Sequence, residues 1–198
     1  MPEAEIADAR AAPARTRRRV VDAAAALLGR NGYAALTVEA IAAEAGVAKT
    51  TVYRWWPSKA AVLVDLYAEL AGALLVDLDT GSAERDLLNL FRGIVRLFRD
   101  TPAGLAMAGM IAEAQLDPAA ATLFRDGFMP TRRAVTDTIL RRGVERGELR
   151  PDLDVEAADD FVSGAFWYRL LLGHAPLDEA FAERVVRYAV AGMRATAR

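Results

Sequence analysis

The run from Thr37 to Lys59 constrains this chain more than any other: it spells two short helices joined by a tight turn. Val38, Ile41, Ala42 and Ala45 recur at i, i+3, i+4 and i+7, which is one apolar helical face. Thr37 is placed to cap that helix with its hydroxyl, and Glu39 suits the positive end of the helix dipole. Gly46 supplies a left-handed residue to end it. A second helix starts near Ala48 and stops before Pro57, because the residue ahead of a proline resists the α conformation. Val47, Val52 and Trp56 face inward. Lys49, Thr50, Thr51, Tyr53, Arg54 and Trp55 are left outward or half-outward. A short helix with one buried side and a cationic, aromatic outer side is what a helix-turn-helix lays in a major groove.

Composition bounds the rest. Of 198 residues, 54% are hydrophobic and 26% charged, which excludes a disordered chain. No apolar run reaches the roughly 18 to 20 residues that span a bilayer, and the N-terminus lacks the apolar segment of a signal peptide. There is no cysteine, which removes disulfides and thiolate metal sites and leaves the cytoplasm as the expected compartment. The net charge of −2 argues against a polyanionic partner until its distribution is read. Residues 1–60 hold nine Lys/Arg against six Asp/Glu, while residues 61–198 hold sixteen against twenty-one. A basic N-terminal unit on an acidic body favours a DNA-facing end.

In chain order, residues 1–13 lack periodicity and are expected to form a disordered arm. Arg15, Arg17, Arg18 and Arg19 lead into a helix to about Arg30, as a solvated face or as a source of phosphate contacts. Tyr33 and Leu36 are expected to pack beneath the helix-turn-helix. Ser58 caps a helix predicted to reach Leu78. Asp79–Ser82 is a break. An amphipathic helix follows through Leu87, Phe91 and Phe98, and Thr101-Pro102 and Asp117-Pro118 each open another. The last of these must kink or restart at Pro130 and ends at Gly147. Two helices, from Asp154 to Gly173 and from Asp178 to Ala195, carry more apolar surface than one core face requires.

The ordered pattern Thr37-Val38-x-x-Ile41-Ala42-x-x-Ala45-Gly46-Val47-x-x-x-Thr51-Val52-Tyr53-x-x-Trp56-Pro57-x-Lys59 resembles the DNA-binding domain of tetracycline-repressor (TetR) family regulators. Two positions depart from it: Ala48 stands where the family usually has Ser or Thr, and Trp55 where it often has His. The stretch Arg141–Asp154 also looks like one common in C-terminal domains of that family. The resemblance implies an all-α fold: a three-helix DNA-binding domain over residues 14–60 and a helical ligand-binding and dimerisation domain over 61–198. It implies a bacterial, ligand-responsive repressor without cofactor or metal, homodimeric through the last two helices, bound to a palindromic double-stranded operator. Lys49 and Thr50 would read bases, Thr37, Thr51, Tyr53, Trp55 and Lys59 would position the backbone, and Arg54 would do either. An unknown small hydrophobic effector would enter a cavity whose candidate walls are Phe91, Val95, Phe98, Met107, Met110, Ile111, Phe124, Phe128, Phe166, Trp167 and Tyr168. Arg92, Arg96 or Arg169 would orient an anion if turned inward.

Enzyme signatures are missing. There is no glycine-rich phosphate loop, no nucleophile elbow and no His-Glu-x-x-His. The single histidine, His174, falls in a loop. Glu113, Gln115 and Asp117 cluster at a helix end, where they would face solvent or hold a polar ligand or cation. The competing class is a dimeric small-molecule or protein-binding module without DNA-binding activity; Tyr53 and Lys59 argue against it.

Overall fold

The structure, a computed structural model, describes residues 2–72 and 79–195, with side chains from residue 14 onward. Its regular elements among these residues are helices: α1 Pro2–Asn31, α2 Val38–Ala45, α3 Lys49–Tyr53, α4 Lys59–Ala71, α5 Ala83–Asp100, α6 Ala103–Ala114, α7 Pro118–Thr122, α8 Met129–Glu145, α9 Val155–Leu172 and α10 Glu179–Met193. A π-helical stretch, Leu123–Phe128, joins α7 to α8. None of these helices is long and apolar enough to cross a membrane. The predicted end of α4 at Leu78 lies outside the described residues. The arm expected over residues 1–13 is instead helical from Pro2, as the first half of α1. The stretch is rich in alanine, the strongest helix former, and this prevails over the backbone donor lost at Pro13.

Two compact units result. The first comprises residues 1–70 and 105–121, the second residues 71–104 and 122–198. Val62, Leu63, Leu66 and Tyr67 of α4 are buried, and α4 as far as Leu70 belongs with the first unit. In that unit α1 packs on α2 and α2 on α3, around Val20, Leu28, Leu36, Ile41, Val52 and Trp56.

In the second unit α5 packs against α8 and α10, and α9 against both. Phe91 and Phe166 stack there with centroids 4.4 Å apart, beside Leu87, Ile139, Val162 and Val186. The α-helical hydrogen-bond pattern is interrupted just ahead of Pro130, where Met129 N–H reaches back five residues to the Phe124 carbonyl. That wider turn is how the chain meets a proline with no N–H to give. Asp159 is fully buried and neutralised by two arginines of α8, Arg132 at 3.5 Å and Arg133 at 3.2 Å. Ser163 links Asp159 to Arg132, accepting from the guanidinium at 2.8 Å and donating to the carboxylate at 2.7 Å.

Candidate nucleic-acid interface

Each part of the helix-turn-helix has a local cause. Thr37 Oγ1 accepts from Ala40 N–H at 3.1 Å and starts α2. Val38, Ile41, Ala42 and Ala45 are its buried residues. Gly46 ends it with φ +62°, a conformation that a side chain would strain. The Arg19 guanidinium donates to the carbonyls of Ala45 and Gly46, at 2.5 and 3.2 Å. A cation on the last carbonyls of a helix satisfies groups the helix cannot and complements its dipole. α3 follows, with Val52 buried on its inner side.

Arg17 and Arg18 of the basic cluster ahead of this motif, like Arg19, bond within the protein. Arg17 donates to Asp65 at 2.5 Å and lies over the Trp56 ring, whose indole N–H also donates to Asp65, at 2.9 Å. Arg18 pairs with Asp22 and Glu69. Arg30 pairs with Glu44.

The outer face of α3 is open. Lys49, Thr50, Tyr53 and Arg54 are exposed, and Thr51 and Trp55 are half-exposed. The Lys49 ammonium is paired with Glu39 of α2 and lies 5.4 Å from the Tyr53 ring centroid. That hydrogen bond holds the Glu39 carboxyl below its ordinary range and raises Lys49. Arg54 lies over Trp55, which meets Trp56 edge-on at 5.7 Å. An ammonium, a planar guanidinium, two aromatic rings and two threonine hydroxyls thus share one exposed or half-exposed surface. Such a surface can donate to phosphate and to base edges at once. Lys59 is the exception: its side chain is only 24% exposed and faces Glu113 of α6. Glu113 is half-buried too, against the expectation of a solvent-facing helix end.

Ala48 occupies the cap of α3 without a side-chain hydrogen bond. Thr51 N–H is taken by the Ala48 carbonyl at 2.9 Å. Ala48→Ser adds an acceptor for the first turn and is expected to stabilise the free protein by about 0.5–2 kcal/mol. A thermal or urea melt of the two proteins checks this; an unchanged midpoint would show that α3 gains nothing from a cap.

The expected cavity walls separate into classes. Phe91, Val95 and Phe166 are fully buried in the packed core of the second unit, and Met107 and Met110 are buried in the first. Phe98, Ile111, Phe124 and Trp167 are half-buried. Phe124 stacks on Phe128 at 5.3 Å and meets Trp167 edge-on at 6.0 Å. Tyr168 is 59% exposed with its ring 4.8 Å from His174, so it stands on the surface of the single chain. Arg92 and Arg96 are held by Glu179 and Glu183 of α10, and Arg169 by the Pro176 carbonyl and the Phe181 ring. Arg92 and Arg96 thus lean on α10, and Arg169 on the loop before it and on Phe181. No group of three or more His, Cys, Asp or Glu suited to a metal occurs among the described residues.

Comparison with known proteins agrees with this geometry. Residues 20–66 match the family model of bacterial regulatory proteins of the tetR family, and residues 77–189 match that of the tetracyclin repressor-like C-terminal domain. The chain is 34% identical over 181 residues to the HTH-type transcriptional regulator YdeS of Bacillus subtilis, covering 91% of each. The crystal structure of the TetR family transcription regulator SCO0332 superposes with a TM-score of 0.76 at 38% identity, over 90% of this chain and 98% of that one. Thermus thermophilus FadR, a TetR family transcriptional repressor solved with lauroyl-CoA, superposes with a TM-score of 0.70 at 25% identity, over 92% and 97%.

Proposed function

The chain belongs to the TetR family of DNA-binding transcriptional regulators, and from that premise we propose that it is a homodimeric repressor released from a palindromic operator by a small, largely apolar effector. One observation carries the DNA reading: the open outer face of α3, with Lys49, Thr50, Tyr53 and Arg54 exposed beside a capped α2. Lys49 and Thr50 read bases. Thr37, Thr51, Tyr53 and Trp55 hold the backbone, and Arg54 joins either group. Lys59 reaches a phosphate only by leaving Glu113.

A single recognition helix reads half an operator, so two copies must stand about one DNA turn apart, roughly 34–36 Å. The exposed apolar residues of α9 and α10 support pairing there: Phe161, Leu172 and Tyr188 are each at least 60% exposed, and Gly192 has open space above it. Release is a population shift. An effector that binds better to a conformer with another head spacing draws the dimer off DNA, with α4 carrying the change. The lauroyl-CoA bound by the Thermus relative supports an acyl thioester as the effector class to try first.

Selection of bound DNA from a random pool tests this. The expected result is an enriched inverted repeat that the protein leaves when lauroyl-CoA or another acyl thioester is added. A pool with no enriched sequence would favour the binding module without DNA activity. An enriched repeat that no acyl thioester releases would remove only that effector class.

A further inference from the structure

We infer that Glu113 of α6 is an affinity-determining residue of the DNA-binding head: it holds Lys59 back from phosphate, and its charge sets how readily that lysine is released. The inference rests on the DNA-binding reading above. Lys59 is the first residue of α4, directly after the turn that ends the recognition helix. On a phosphate-facing surface its ammonium would stand in water. Instead it lies 4.2 Å from the Tyr33 ring centroid and 4.0 Å from Glu113 Oε2, with each charged side chain less than a quarter exposed. The Tyr33 hydroxyl donates to the same carboxylate. Gly109, one turn earlier on α6, makes this possible, since a Cβ there would overlap the Tyr33 ring. Three segments distant in sequence, the α1–α2 turn, the start of α4 and α6, therefore meet around one cation.

The arrangement holds Lys59 loosely. At 4.0 Å the pair is too long for a hydrogen bond, so Lys59 has only the Tyr33 ring and a distant carboxylate in place of the hydration it has lost. Burial lowers Lys59 and raises Glu113, the latter helped by the charge of Asp117. A phosphate oxygen offers what Glu113 does not: a short, charge-assisted hydrogen bond at about 2.8 Å. Lys59 is thus shared between an internal carboxylate and an external phosphate. Removing the internal charge shifts it outward.

Glu113→Gln tests this, because the amide oxygen still accepts from Tyr33 while the charge is gone. On the operator enriched from the random pool, the variant is expected to bind about three- to tenfold tighter than wild type, the scale of a partly screened ion pair. Its log affinity should fall more steeply with log salt, by about 0.9 per protomer for one added phosphate contact. In a Lys59→Ala background the same substitution should give no gain. Tyr33→Phe keeps the ring under Lys59 but leaves the carboxylate only Lys59 to pair with, and should instead weaken binding slightly without lowering the salt slope of Glu113→Gln when the two are combined. An unchanged slope and affinity in Glu113→Gln overturns the inference, as does a gain that survives without Lys59. If Glu113→Gln and Tyr33→Phe both weaken binding and lower the melting temperature alike, the cluster is structural only. Failure of wild type to bind the enriched DNA would instead sink the DNA-binding reading and this inference with it.

Discussion

Arginine at both Phe161 and Tyr188 is expected to convert the protein to a monomer by sedimentation and to weaken operator binding by a factor on the order of 10² to 10⁴. The two side chains are each 65% exposed, and Leu172 at 60% adds to the same apolar surface. A groove of about 280 Å³ runs between Phe161 and Tyr188 over Ala189, Gly192 and Met193. The monomer's own packing lies on the other side of these helices, in Val162, Phe166, Val186 and Val190. Charges at 161 and 188 therefore leave that core untouched and act only on what covers the surface. Two charges facing their own copies across a two-fold axis are desolvated and repelled at once. Each head then holds a half-operator alone, without the high effective concentration that a tethered second head provides. Gly192→Arg is a gentler form of the test, because nothing lies within 4 Å of where its Cβ would stand. Ala165 is a poorer site, since it packs against the core and a charge there would unsettle the monomer itself. A doubly substituted protein that still sediments as a dimer would place the interface elsewhere.

The helix starts were legible because a cap is a local rule. Ser58, Thr101, Asp117 and Asp154 each stand two or three residues ahead of the backbone N–H they accept, as does Thr37. What sequence could not show was which way a lone charged side chain turns. Arg19 reads like its neighbours in a basic cluster, yet it holds the end of a helix 26 residues away. Glu113 reads as a solvent-facing helix end, yet it bonds Tyr33 80 residues earlier. Both depend on how helices pack, and packing has no local signature for a polar residue beside a small one. Gly109 was the available clue: a glycine inside a helix costs about 1 kcal/mol relative to alanine and implies close approach of something. The cavity walls were harder still. Phe91 and Phe166 stacked in a core obey the same helical spacing as residues lining a void, so periodicity selects both alike.

Lys49→Ala should remove sequence preference at one base pair per half-site, a loss of about 1–3 kcal/mol at that position. Lys49 is the first residue of α3, where side chains of a recognition helix reach base edges. In the free protein it is held on two sides, by the Glu39 carboxylate and by the Tyr53 ring. The hold restricts a side chain that otherwise spends about 2 kcal/mol of rotamer entropy on being fixed. It also means that the substitution uncovers a carboxylate beside the recognition helix. Glu39, no longer paired, then repels phosphate, and Lys49→Ala should weaken all sequences somewhat in addition to losing its specific base. The two effects separate in a cycle. Glu39→Gln combined with Lys49→Ala should reverse the general loss and leave the specific one. A binding-site scan of wild type, both single variants and the double variant measures each. If Lys49→Ala leaves every base preference in place and only flattens the salt dependence, Lys49 is a phosphate contact, and the reading of bases passes to Thr50 and Arg54.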